Sequence, residues 1–78
     1  MSEEKIEVMA YSGYRGEEIP RAFTHHQEKI EVIDILSQWV EEAFEGKGTK
    51  RFFICKGSDR GIHKIFYDET SQEWYYKR

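Results

Sequence analysis

The chain is short of several residue types and patterns, and each shortage narrows its class. It has one cysteine, Cys55, so no intramolecular disulfide can form and the composition fits a reducing compartment. It has no apolar N-terminal run behind a basic region, and no stretch as long and apolar as a bilayer span requires. The expectation is a cytoplasmic protein without a membrane segment. No HExxH, no paired-cysteine spacing and no GxxxxGK[ST] occurs, so neither a familiar zinc site nor a phosphate-binding loop can be read. Internal repeats and low-complexity tracts are absent as well.

What is present suits one small folded domain spanning residues 1–78, with Met1–Glu4 fraying. Hydrophobic residues make up 38% and charged residues 35%, a thin margin for a core. The aromatic share of 15% compensates, because each buried ring removes a large apolar area from water. Net charge is −3 but unevenly spread. Residues 1–45 carry four Lys/Arg against eleven Asp/Glu, whereas residues 46–78 carry eight against four. Such asymmetry marks either a partner surface or two parts of one domain that attract each other; the second is the simpler reading.

The last third is the most legible. Arg51–Lys56 alternates Phe52 and Ile54 with Phe53 and Cys55, as a pleated, half-buried strand does. Gly57-Ser58-Asp59-Arg60-Gly61 supplies a turn, with two glycines free to take positive φ. Ile62–Tyr67 is the next strand, Asp68–Gln72 a polar turn, and Glu73–Lys77 the closing strand. Connections this short force antiparallel neighbours.

Earlier in the chain, Ile6–Tyr11 alternates, with Ile6, Val8 and Ala10 facing the core. Ser12–Glu18 is a loop by its two glycines, and Ile19–His25 a second strand with Pro20 at its start or on an edge. Lys29–Phe44 is ambiguous. Ile30 and Val32 alternate as a strand would, yet Ile33, Leu36, Val40, Ala43 and Phe44 recur at helical spacing. A strand through Leu36 followed by a short helix near residues 37–45, stopped by Gly46, reconciles the two patterns.

The run Ser12–Glu18, then Pro20–Phe23, Ile30–Val32, Ile35-Leu36 and Trp39, resembles a family of small uncharacterised prokaryotic cytoplasmic proteins. The likeness continues through Arg51–Phe53, the Asp59 turn and Asp68 to Trp74, and so covers nearly the whole chain. A looser similarity links it to a module appended to proteins related to translesion DNA polymerases. The resemblance implies a mainly antiparallel β module and tips Lys29–Leu36 toward strand. It implies no activity and brings no catalytic residues. Val40–Thr49 is longer than the family pattern, and there the helix has its best case.

Candidate sites are few. His25 and His26 are adjacent, and adjacent strand residues point to opposite faces, so they cannot chelate one ion unless a turn re-aims one. Cys55 lacks a readable base and reads as a half-buried structural thiol. Carboxylate pairs such as Glu17-Glu18 and Glu41-Glu42 read as solvated charge. No catalytic, metal or cofactor site is expected, and the chain is not expected to be an enzyme. Two binding readings survive. Tyr11, Tyr14, Arg15 and Arg21 have the character of protein-interface anchors on a sheet edge. Alternatively, Lys47, Lys50, Arg51, Lys56, Arg60 and Lys64, interleaved with Phe53, Tyr67 and Tyr75, could track a nucleic-acid backbone. The fold expected is mainly β: a small antiparallel curved sheet or open barrel of five to six strands, acting as a non-catalytic binding module. A protein partner is the first reading and nucleic acid the alternative.

Overall fold

A computed structural model of the chain describes residues 3–12, 18–42 and 48–77. Six strands fill them: β1 (Glu3–Ser12), β2 (Glu18–His25), β3 (Glu28–Glu42), β4 (Thr49–Gly57), β5 (Ile62–Asp68) and β6 (Glu73–Lys77). Each pairs antiparallel with the next, and β1 pairs with β6 to close a barrel. The mainly antiparallel β fold read from the sequence is the fold observed, in its closed six-stranded form.

The barrel is two sheets that share strands. Glu3–Ile6 of β1 pairs with β6, and Glu7–Ser12 of the same strand pairs with β2. Glu28–Glu31 of β3 pairs with β2, and Val32–Glu42 pairs with β4. Strands change sheets by bending, and bulges supply the bend. Two register shifts in β3 leave Ile33 and Leu36 as extra residues with no counterpart on β4. A third shift leaves Arg21 of β2 with no counterpart on β1.

Alternation along the strands sends Phe53 and Cys55 of β4, Ile65 of β5 and Trp74 of β6 inward, where they meet Ile6, Phe23 and Ile30. Val8, Val32, Ile35, Tyr67 and Tyr76 pack around this cluster. Burying side chains of this size contributes roughly 1.5–3 kcal/mol each. The residues between them face outward and build a second layer. Trp39, Phe52, Phe66 and Tyr75 stand in register on four consecutive strands, with successive rings stacked 4.9–5.3 Å apart. Phe66 is only 1% exposed despite facing away from the barrel interior.

Four expectations change. The helix near residues 37–45 is not found: β3 runs as strand through Glu42, and residues 43–45 lie outside the described residues. Its helical spacing has a different origin, because bulges at Ile33 and Leu36 each insert one residue into a period of two. Ala10 is exposed, whereas Ile6 is buried and Val8 half-buried as expected. In the β4–β5 turn the positive φ falls on Arg60 and not on Gly57 or Gly61. Gly57 is needed for room instead: a Cβ there would lie 2.6 Å from Ile30 Cγ2. Fraying was expected over Met1–Glu4, but Glu3 and Glu4 belong to β1 and pair with Lys77 and Tyr76 of β6. Met1-Ser2, the loop with Gly13 and Gly16 and the Gly46 stop lie outside the described residues.

Candidate functional site

Three features of the surface bear on function. The first is a free strand edge. β2 accompanies β3 only through Ala22–His25 against Glu28–Glu31. Beyond that point β2 continues with β1 alone, and residues 32–42 of β3 have β4 on one side and, among the described residues, no strand on the other. Both strands are bulged where they part, β2 at Arg21 and β3 at Ile33. Along the free stretch Ile33 is 62% exposed, Leu36 51% and Val40 54%. Arg21 lines a concavity at the parting with Met9, Ala22, Lys29, Glu31 and Val32.

The second feature closes one end of the barrel. His63 is almost fully buried, and both its ring nitrogens have partners. Nε2 lies 3.0 Å from the Asp59 carboxylate and Nδ1 lies 2.7 Å from the Tyr76 hydroxyl. Asp59 also accepts the Gly61 N–H at 3.0 Å. The His63 and Gly61 bonds hold the Asp59 carboxyl below its ordinary range, since both favour the ionised form. With both nitrogens engaged, the imidazole has no lone pair left for a substrate, and the group works as a clamp between the β4–β5 turn and β6. Tyr76 stacks on His25 at 3.9 Å, and His25 stacks on His26 at 3.9 Å. Both histidines reach Glu4, at 3.3 and 3.6 Å. The sequence held the pairing of His25 with His26 to depend on a turn, and the turn is there: His26 and Gln27 take φ of 52° and 66° and fold one ring over the other.

The third feature is the outer row Trp39–Phe52–Phe66–Tyr75. Lys64 lies over Trp39 and Phe52, and Lys50 over Phe66, at 5.3–5.7 Å from the ring centroids. Such contacts use the ammonium groups as a lid over the row.

These features distribute the residues singled out from sequence. Arg21 sits at the free edge. Tyr11 lies on β1 opposite Ile19, and Tyr14 and Arg15 fall outside the described residues. Arg51 of β4 bonds Glu69 of the adjoining β5–β6 turn, and Lys47 is outside the described residues. Lys56 and Arg60 are exposed, and Lys64 covers the aromatic row. Of the rings proposed for stacking on bases, Phe53 is buried in the core, and Tyr67 and Tyr75 pack against Trp74 and Phe66. Cys55 is fully buried, and its thiol donates to the His63 carbonyl at 3.7 Å; burial pushes its pKa up to about 11. At the β1–β6 seam Lys5 pairs with Glu73 at 2.8 Å and Lys77 with Glu3 at 3.6 Å; the second joins a base of the basic part to an acid of the acidic part, and the first runs the other way. The free edge of β3 and the place of Glu4 beside His25 and His26 were not read from the sequence, which weighed the two histidines alone.

No family model, no curated protein and no solved structure matches the chain.

Proposed function

We propose that this domain is a non-catalytic binding module that takes up an extended protein segment along the free edge of β3. The observation that carries the reading is the combination on residues 32–42: a backbone that, among the described residues, is paired on one side only, with Ile33, Leu36 and Val40 exposed. An unpaired edge offers main-chain hydrogen bonds, and exposed apolar side chains along it supply selectivity. The partner segment is basic, because β3 carries Glu28, Glu31, Asp34, Glu41 and Glu42 against Lys29 alone. The same charge opposes pairing of two β3 edges from two copies of the chain, which would set acid against acid. Arg21 and the concavity around it extend this surface and keep the anchor role first read for it.

Nucleic-acid binding by strands 51–67 has less support. Phe52, Phe53 and Phe66 are buried, and Arg51 is engaged by Glu69. The cytoplasmic setting and the tie to the small prokaryotic family belong to the same proposal.

The test is an amide chemical-shift titration with a short peptide of alternating lysine and valine. A twin peptide, N-methylated at alternate amides, serves as the control. Strand addition predicts shifts along residues 32–42 with the first peptide and none with the second. Equal binding of both peptides, or shifts confined to Arg51–Lys64, overturns the reading.

A further inference from the structure

We propose that Glu4, His25 and His26 form a binding site for a divalent transition-metal ion, zinc before others. The donor set is two imidazoles and one carboxylate, which suits zinc and is poor for calcium or magnesium. Their ligand atoms lie within 4.8 Å of one another. Glu4 Oε1 is 3.3 Å from His25 Nε2 and 3.6 Å from His26 Nε2. Ligands 2.0–2.1 Å from a tetrahedral zinc stand about 3.3 Å apart, so the carboxylate already holds both imidazoles near the required spacing.

Each donor is placed by a different part of the fold. Glu4 is fixed on β1 by its pairing opposite Tyr76 of β6. His25 ends β2, and its ring is held flat against Tyr76, with planes 6° from parallel. Tyr76 is held in turn by His63, and His63 by Asp59. His26 is the adjustable member: its side chain is 64% exposed, so its ring can tilt away from the stack and aim its lone pair at the shared point.

The turn itself points the same way. A two-residue hairpin with positive φ at both positions favours Asn-Gly, and this one is His-Gln. Histidine takes the left-handed conformation more readily than most residues, so His26 can hold it, whereas Gln27 is the member that turn preference alone would not select. Here the left-handed His26 brings its ring onto the side of the sheet that His25 and Glu4 occupy. The three protein ligands leave a fourth position for water or an outside ligand. Bound metal would staple the start of β1 to the β2–β3 turn.

The test adds zinc chloride to the full chain, with magnesium chloride as control, and follows the histidine ring resonances and the melting temperature. Expected are saturable one-to-one shifts at His25 and His26, smaller ones at His63, and a rise in melting temperature. Glu4→Gln and His26→Ala, both at partly or largely exposed side chains, should each weaken zinc binding about ten-fold or more while the fold persists. Absence of saturable binding at millimolar zinc overturns the proposal. So does binding that neither substitution weakens.

Discussion

Trp39 of β3 and Phe52 of β4 face each other with ring centroids 5.3 Å apart and planes within 4° of parallel. The pair begins a row that passes through Phe66 to Tyr75, one aromatic on each of four neighbouring strands. Stacked cross-strand rings add attraction beyond the area they bury. The row therefore stiffens the outside of the sheet that backs the free β3 edge.

The two members should differ in weight. Phe66→Ala removes a fully buried ring from the middle of the row and is expected to cost about 3–5 kcal/mol. Trp39→Ala removes a half-buried ring from its end, with a loss of about 1–2 kcal/mol. Urea unfolding of both variants measures the difference; equal losses would mean that the row does not act as a graded stack.

The His26-Gln27 turn predicts a gain. Glycine takes φ near 66° without the Cβ clash that glutamine meets. Gln27→Gly should raise stability by about 0.5–1 kcal/mol after the extra freedom of the unfolded chain is counted. Thermal melts decide it, and a lower melting temperature would show that Gln27 makes a compensating contact.

Asp59 predicts a dependence on acid. Its folded pKa lies below the ordinary value of 3.8, chiefly through the His63 bond. The contribution to stability is therefore complete above 3.8 and is lost as pH falls through the lower folded value. Asp59→Asn should melt below the parent at pH 7, and the gap should shrink toward the acid end of a series from pH 7 to 2. A gap that stays constant with pH would assign the loss to packing alone.

Cys55 predicts silence. With a pKa of about 11 and no exposed surface, the thiol should resist iodoacetamide at pH 8 in the folded protein. Mass spectrometry should show full alkylation once urea unfolds the chain. Labelling at the rate of a free thiol under native conditions would mean that the barrel opens readily around β4.

The strands were legible wherever period-two alternation was unbroken. Phe52 to Lys56, Ile62 to Tyr67 and Glu73 to Lys77 all lie in strands with the expected neighbours. Alternation misled at the bulges, since a local pattern does not show which strand will shift register. Ile33 and Leu36 mimic a helix face only because each is an extra residue in a strand. The candidate site was harder to see. Glu4 and His25 meet because β1 and β2 curl around one barrel end, and His63 meets Asp59 because Gly57 and Gly61 leave space in the turn between them. Contacts of this kind depend on closure of the whole ring, which no short window of sequence contains. Residues on the outer face posed the opposite problem: Phe52 and Phe66 sit at solvent-facing positions by alternation, yet neighbouring rings and lysines cover them.

The seam between β1 and β6 carries a kinetic consequence. Five of the six strand pairings join segments adjacent along the chain and can form as independent hairpins. Only the sixth, from Glu3 opposite Lys77 to Ile6 opposite Trp74, unites residues separated by nearly the full length of the polypeptide. Its loop-closure entropy is the largest in the molecule, growing by about 0.6 kcal/mol with each doubling of the loop. Folding should thus finish at that seam, and hydrogen exchange should find the amides of Glu3–Ile6 opening before those of β4 and β5.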